Sequence, residues 1–268
     1  MPATRLDPIL AAVRERAAER RRRQPLERLR DLVQPDSTRR ERFVRALARP
    51  GLSIIAECKR RSPSAGVLLD GPGTPDARWF ALADAYRRGG ARALSVLTEQ
   101  DHFGGSLEDL HSLAHAGLPR LRKDFILDEG MLLEACLFGA DAVLLIAAIL
   151  PDAELRALRE CSRALGLAVL LEVHDEPELE RALAVEPELV GVNARDLRTL
   201  SVDLATVERL LPRVPEGPLK VAESGIHDSA DLRRVRAAGA DAVLIGETLI
   251  RCADPAALLH SWREELHA

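Results

Sequence analysis

From residue 51 onward, short apolar runs alternate with longer amphipathic stretches. The runs cover 52–59, 93–99, 119–125, 142–148, 168–174, 189–195, 219–224 and 242–247, and they are rich in Val, Ile and Leu. Most lead into a segment with apolar residues at helical spacing, such as 151–165 or 228–238. Near-continuous apolar runs read as strands buried on both faces, and helices between them make the strands parallel. Eight such strands predict a closed α/β barrel, the (β/α)8 or TIM architecture. The competing open, doubly wound sheet would place a glycine-rich turn after the first strand. Here that strand runs instead into Lys59-Arg60-Arg61-Ser62-Pro63-Ser64.

An internal repeat supports closure. Gly-Ala-Asp-Ala-Val-Leu occurs at 139–144 and again at 239–244. The offset equals four strand–helix units of about 25 residues each, so a second set of four completes eight. In both copies the glycine is placed to end a helix in a left-handed cap.

The first 50 residues follow another pattern. A helix is expected over 8–23, with Asp7 as its cap, Pro8 in its first turn and Leu6, Ile9, Leu10, Val13 and Ala17 along one stripe. A second helical piece is expected over 38–48. The organisation read from these patterns is one domain: a helical extension over 1–50 packed on a barrel over 51–268.

Polar residues sit where a barrel core should be apolar. Successive strand residues face opposite ways, so Ile55, Glu57 and Lys59 share a face in the first strand. Leu121, Lys123 and Phe125 align in the third, Leu170 and Glu172 in the fifth, and Asn193 and Arg195 in the sixth; the seventh ends in Glu223-Ser224-Gly225. Buried charges are costly unless they pair or act on a ligand. Polar groups on five strands, all at the C-terminal end, predict a site at the face where these barrels carry their chemistry. Two lysines among two or three glutamates suit proton transfer on a carbonyl substrate. A Schiff base on one lysine is the open alternative. Glycines after the seventh and eighth strands (Gly225, Gly246) suit the backbone to an anion such as phosphate.

Composition narrows this further. The chain has 268 residues, 47% apolar and 30% charged, enough for a large core. Aromatics are only 3%, so that core is aliphatic. The four cysteines (Cys58, Cys136, Cys161, Cys252) are dispersed, as expected of reduced thiols in a cytoplasmic protein. No apolar run is long enough to span a membrane, and no signal-peptide core is expected. Residues 1–50 carry 14 arginines against 7 acids, a charge of +7; the chain totals −4, so the rest carries −11. The run Arg20-Arg21-Arg22-Arg23 could attract nucleic acid, but interleaved Glu15, Glu19 and Glu27 suit a solvated helix face better. His111 and His115 lack the carboxylate that would complete a metal set, so no metal is expected.

Several segments resemble one family throughout the chain. Ile54-Ile55-Ala56-Glu57-Cys58-Lys59-Arg60-Arg61-Ser62-Pro63-Ser64 is similar to the first-strand motif of indole-3-glycerol-phosphate synthases. Leu94-Ser95-Val96-Leu97-Thr98-Glu99 with Phe103 and Gly105-Ser106, then Leu121-Arg122-Lys123-Asp124-Phe125-Ile126, resemble the second and third strands. Leu171-Glu172-Val173-His174, Gly191-Val192-Asn193-Ala194-Arg195-Asp196-Leu197 and Val221-Ala222-Glu223-Ser224-Gly225-Ile226 resemble the fifth, sixth and seventh.

The resemblance implies closure of an indole ring on 1-(2-carboxyphenylamino)-1-deoxyribulose 5-phosphate, with loss of CO₂ and water, in tryptophan biosynthesis. It implies no cofactor. By matching position, Lys123 would be a general acid, and Lys59 would bind the substrate carboxylate or itself serve as the acid. Glu172 would exchange protons, Glu57 would tune Lys59 or act beside it, and Asn193 would orient the intermediate with Glu223 in support. Ser224, Gly225, Gly246 and the backbone of Glu247 would hold phosphate, with Arg195 and Ser62 nearby. Phe103, Phe125, Pro63 and Leu144 would wall the aromatic ring. Glu247 stands where some members carry serine, so its side chain is expected to point away from phosphate. His102 stands where many carry an aromatic residue. The implied protein is a cytoplasmic monomer with no nucleic-acid or membrane partner, at most weakly associated with other enzymes of the pathway. Other phosphate-binding barrels, such as phosphoribosylanthranilate isomerases, lack the pairing of Glu57-x-Lys59 with Lys123. A non-catalytic barrel would not need an intact set of polar strand ends.

Overall fold

A computed structural model describes residues 6–63, 66–70 and 73–267. The remaining residues, Ser64 and the first five among them, lie outside the described set. Eight parallel strands close a barrel: β1 (Ser53–Cys58), β2 (Ala93–Leu97), β3 (Arg120–Lys123), β4 (Ala142–Ile146), β5 (Ala168–Val173), β6 (Leu189–Asn193), β7 (Leu219–Glu223) and β8 (Ala242–Ile245). Each lies inside a predicted apolar run and stops one or more residues short of it. The surplus residues belong to the loops at the C-terminal mouth. A two-residue hairpin (Arg61–Ser62 with Gly66–Val67) follows β1.

Strand register places the charged residues on one level. Glu57 pairs with Ser95 and Ser95 with Leu121; Lys123 stands two residues beyond Leu121. The same two-residue advance leads from Lys123, by way of the β3–β4 register and Leu170, to Glu172. Another leads through Gly191 and Val221 to Glu223, and a fourth through Leu244 and Ile55 back to Glu57. The four advances sum to about eight residues, the stagger that closes an eight-stranded barrel. Glu57, Lys123, Glu172 and Glu223 therefore form a single four-residue layer, one from each odd strand. Just below lie Ile55, Leu121, Leu170 and Val221, all fully buried.

The repeated hexapeptide has a further use. Gly139 (φ 81°) and Gly239 (φ 93°) are both left-handed, as expected. The aspartate that follows is the larger device. Asp141 accepts the backbone N–H of Arg120 at 2.8 Å, and Asp241 accepts that of Lys220 at 2.8 Å. Each copy thus ties the entrance of an even strand to the start of the odd strand before it, at its first residue in one case and its second in the other.

The N-terminal segment holds three helices: α1 (Asp7–Arg23), α2 (Leu26–Leu32) and α3 (Ser37–Leu47). The stripe from Leu6 to Ala17 is buried. Two details correct the sequence reading. Leu6, not Asp7, is the residue before α1, with no side-chain cap; Asp7 lies in the first turn, where its charge still favours the helix dipole. The seven-residue α2 was not anticipated, because so short a stretch shows no period. Helix α3 begins on Asp36, whose carboxylate accepts from Thr38 N–H.

The arginine run is largely engaged with acids. Arg20 pairs with Glu134 at 3.0 Å and Arg21 with Asp128 at 3.4 Å, both at α4 (Glu129–Leu137), and Arg23 pairs with Glu19 at 2.5 Å. These pairs are partly exposed and individually weak. Together with the apolar stripe they fasten α1 to the barrel wall. Arg30 of α2 reaches α4 as well, pairing with Glu129 at 2.7 Å. No helix among the described residues is long and apolar enough to cross a membrane.

Candidate active site

The barrel mouth opens into a cavity of about 200 Å³. Of the residues expected there, Glu57, Lys59, Phe103, Lys123, Phe125, Leu144, Glu172, Asn193, Arg195, Glu223, Ser224, Gly225, Gly246 and Glu247 all line it. Ser62 and Pro63 do not. Ser62 is buried in the hairpin beside Gly66 and Pro63 is exposed at its turn, so strand-end position alone did not bring them to the wall.

Lys123 is the centre of the charged layer. Its Nζ lies 2.8 Å from Glu172 Oε2 and 3.3 Å from Glu223 Oε2. Burial would push its ammonium down, but the carboxylates of Glu172, Glu223 and Glu57 outweigh this and hold it above the usual lysine range. Burial likewise opposes charge on Glu172, which Lys123 and His174 overcome, so this carboxylate is held low. Glu223 goes the other way: burial raises it, the charge of Glu172 adds to that, and Lys123 offsets only part. One ammonium cannot neutralise two carboxylates at once, so the pair splits. Glu223 Oε1 is buried without a hydrogen-bond partner, which fits a carboxyl that carries a proton.

Across the mouth, Lys59 Nζ meets Glu57 Oε1 at 2.9 Å. Asn193 Nδ2 donates to Glu172 Oε1 at 3.1 Å, while Asn193 Oδ1 accepts from Arg195 N–H at 3.0 Å. Arg195 is held in turn by its bond to Leu200 O at 3.1 Å.

Three supports were not legible in the sequence. Gly191 lies one residue level below Glu223, and a Cβ there would collide with Glu223 Oε1. Gly246, one level above Glu57, likewise leaves no space for a Cβ, which would lie 2.5 Å from Glu57 Oε1. These glycines make room for the carboxylates, and only the register shows it. Buried Glu99 accepts the N–H groups of Asp101, His102 and Phe103 (3.0, 2.7 and 3.0 Å), shaping the loop that presents Phe103. Behind Lys123, the buried Arg122 guanidinium bonds Asp124 Oδ2 at 3.0 Å, and Thr98 donates to the same oxygen at 2.6 Å. That network braces β3 from behind Lys123, with Asp124 at the cavity edge.

The turns after β7 and β8 form the remaining wall. Ser224 (φ 67°) and Gly225 (φ 76°) are consecutive left-handed residues, and Ser224 is one of few non-glycine residues so held. Thr248 Oγ1 donates to Ile226 O at 2.7 Å and joins the two turns. The Glu247 carboxylate is taken by Arg251 at 2.9 Å within its own short helix, so it is neutralised away from the turn. His102 Nδ1 lies 3.4 Å from Glu99 Oε1. His111 and His115 are exposed, and no cluster able to hold a metal ion exists among the described residues.

A lysine fixed between carboxylates at the C-terminal mouth of a closed parallel barrel defines an acid–base enzyme of the (β/α)8 class. Comparison with known proteins makes this particular. The family model for indole-3-glycerol phosphate synthase matches residues 6–262. An indole-3-glycerol phosphate synthase of Nocardioides sp. is 49% identical over 251 residues, covering 93% of this chain and 94% of that protein. One from Parafrankia sp. is 48% identical over 251 residues, covering 93% and 91%. The chain belongs to the indole-3-glycerol phosphate synthase family. Among solved structures, a thiamine phosphate pyrophosphorylase from Pyrococcus furiosus superposes with a TM-score of 0.59 at 15% identity, over 81% of this chain and 96% of that one. That likeness is one of fold alone.

Proposed function

We propose that this protein closes the indole ring of 1-(2-carboxyphenylamino)-1-deoxyribulose 5-phosphate, releasing CO₂, water and indole-3-glycerol phosphate. The observation that carries the reading is Lys123, buried and held as an ammonium between Glu172 and Glu223. A buried ammonium is a poor nucleophile, which favours an acid over a Schiff-base lysine. Lys123 protonates the substrate carbonyl as the ring carbon attacks it. Lys59, turned toward the same cavity and balanced by Glu57, receives the substrate carboxylate. Ring closure makes the aniline nitrogen an iminium, and this takes the electron pair as CO₂ leaves. Glu172 then removes the proton whose loss makes the new ring aromatic, and Asn193 keeps that carboxylate aligned.

The left-handed Ser224-Gly225 turn and the Gly246-Glu247 turn hold the phosphate through backbone N–H groups, with Arg195 near. Phe103, Phe125 and Leu144 wall the aromatic ring. This reading places the protein in tryptophan biosynthesis, as a cytoplasmic monomer needing no cofactor, nucleic acid or membrane. Association with other enzymes of the pathway is at most weak. The test mixes protein with the carboxyphenylamino sugar phosphate and follows indole fluorescence. A signal no greater than that of a Lys123→Ala control overturns the assignment. Glu172→Gln lowers kcat by about 10²-fold, the loss typical of a missing acid–base group; an unchanged kcat removes Glu172 from the mechanism.

A further inference from the structure

The end of the barrel opposite the active site carries a cavity of its own, of about 680 Å³. The segments that enter β1, β2 and β3 line it, together with one face of α3 and the last helix (Pro255–His267). Five arginines reach it. Arg42 and Arg45 come from α3, Arg49 from the turn after α3, Arg92 from the turn before β2 and Arg263 from the last helix. Among the described residues, Glu41 is the one acid in its wall.

Like charges gathered in this way repel, so what each one is paired with decides what the cluster can do. Arg45 takes Glu41 at 3.1 Å, one turn back along α3. Arg42 gives Nε and one terminal nitrogen to Asp141, at 2.9 and 2.6 Å. Arg92 is held by uncharged oxygens instead. Its Nη1 donates to Arg49 O at 2.8 Å and to Ser53 Oγ at 2.9 Å, and its Nη2 donates to Pro50 O at 2.8 Å. These bonds fix the guanidinium and leave its charge uncancelled. Burial, and then the charges of Arg49 and Arg263, push Arg92 below the usual arginine value. Arg263 lays its guanidinium over Gly90 (φ 87°), so close that a Cβ there would overlap it. Neither Arg49 nor Arg263 pairs with an acid among the described residues. Elsewhere the protein does neutralise its arginines, as the run on α1 shows. Acids outnumber bases over the rest of the chain, yet none is spent here. Arg49, Arg92 and Arg263 therefore burden the empty protein with a repulsion that a bound anion would offset.

We propose that this end of the barrel binds a compact anion carrying at least two phosphate groups. The three uncancelled cations stand on three separate elements, so a single phosphate leaves part of the cluster unanswered. Guanidinium forks match phosphate oxygens in pairs, and Arg92 is already fixed in place to receive them. No aromatic side chain lines the cavity, so nothing there stacks a nucleobase; the phosphates alone are recognised. A bound diphosphate links α3, the entry to β1 and the last helix. Its effect is on stability, and it does not rest on the reaction assigned to the mouth.

The test titrates pyrophosphate, without divalent cations, into wild type and Arg49→Gln/Arg263→Gln by calorimetry. Any binding at the mouth is common to both proteins, and neither residue lies there, so indole formation and its KM should be unchanged. Wild type should show one binding event that the variant lacks, with Kd on the order of 10⁻⁴ M at low salt and weaker as salt rises. Pyrophosphate should raise the wild-type Tm by about 2–4 °C and move that of the variant by less than about 1 °C. Orthophosphate should bind about tenfold more weakly, and adenosine diphosphate no more tightly than pyrophosphate. If the double variant fails to fold, Arg49→Gln alone carries the test with a smaller loss, since Arg49 is exposed and outside any helix. Equal pyrophosphate binding by wild type and variant overturns the proposal. Adenosine diphosphate bound tenfold more tightly than pyrophosphate overturns recognition by phosphates alone.

Discussion

Odd and even strands of this barrel carry different duties. At the catalytic level the odd strands supply Glu57, Lys123, Glu172 and Glu223. By the same register the even strands supply Leu97, Ile146, Asn193 and Gly246 one level above, and Ser95, Leu144, Gly191 and Leu244 one level below. Three carboxyl groups and an ammonium thus sit between two layers that are apolar, small or hydrogen-bonding. The difference teaches where charge can be stored. Side chains of alternate strands share a level, so the four odd-strand groups reach one another across the axis. The even layers keep water away and yield the space those groups occupy.

Removing the one cation of the odd layer breaks the contrast most. Lys123→Ala leaves Glu172 and Glu223 buried without it. Indole formation should fall by about 10³-fold or more, the loss expected for a general acid that also positions its partners. Lys123→Met keeps the volume and should be equally inactive. If Lys123→Met retains activity within tenfold of wild type, the ammonium is not the acid.

The even layer is tested by adding one carbon. A Cβ in Gly191→Ala collides with Glu223 Oε1 and sits 3.1 Å from Leu170 Cδ1. Overpacking of this kind costs about 1–3 kcal/mol, read from the urea midpoint. Shortening the obstructing side chain in Gly191→Ala/Glu223→Ala should recover part of that stability and none of the activity. Strict additivity of the two changes would show that the glycine serves some other need.

The strands were legible because both of their faces are buried, which makes apolar runs hard to mistake. The charged residues were legible because alternation puts Glu57 and Lys59, or Lys123 and Phe125, on the mouth-facing side. The level they share was not, since it depends on register between segments far apart in the chain; Glu57 and Glu172 are 115 residues apart. Gly191 had no visible role for the same reason: Glu223, the group it accommodates, is on the next strand. His174 was quoted within a motif without a role, because Glu172 and Glu178 flank it only once β5 ends and the helix Glu176–Leu183 begins. Ser62 and Pro63 went the other way. Their neighbours in sequence reach the site, but the hairpin turns them aside.

Titration sharpens the contrast next. Two of the raised groups, His174 and Glu223, belong to the ends of odd strands. The folded state holds the His174 proton more tightly than the unfolded chain does. Its contribution is therefore complete below pH 6.5 and is lost as pH rises toward about 10. Glu223 acts in the same direction, because a buried carboxyl kept protonated is most stable at low pH and weakens as pH rises. Wild-type stability should decline between pH 6.5 and 10. His174→Gln should unfold more easily than wild type at pH 6, by about 1–2 kcal/mol, and the gap should close by pH 10. A gap constant with pH would mean that His174 is not charged in the folded protein.

The smallest effect separates the two copies of the repeat, which enter even strands with the same six residues. Asp141 is buried, accepts from Arg120 N–H and is gripped by Arg42 Nε and its terminal nitrogen at 2.9 and 2.6 Å. Asp241 is exposed and makes the equivalent bond to Lys220 N–H at 2.8 Å. Identical sequence therefore has unequal worth, because α3 delivers an arginine to one copy. Asp141→Asn should cost about 2 kcal/mol and Asp241→Asn about 0.5–1 kcal/mol, measured by urea unfolding at neutral pH. High salt should shrink the first cost more than the second, since the Arg42 guanidinium is half exposed. Equal costs at low salt would mean that the backbone bond alone matters, and that Arg42 adds nothing to the closure of β4 against β3.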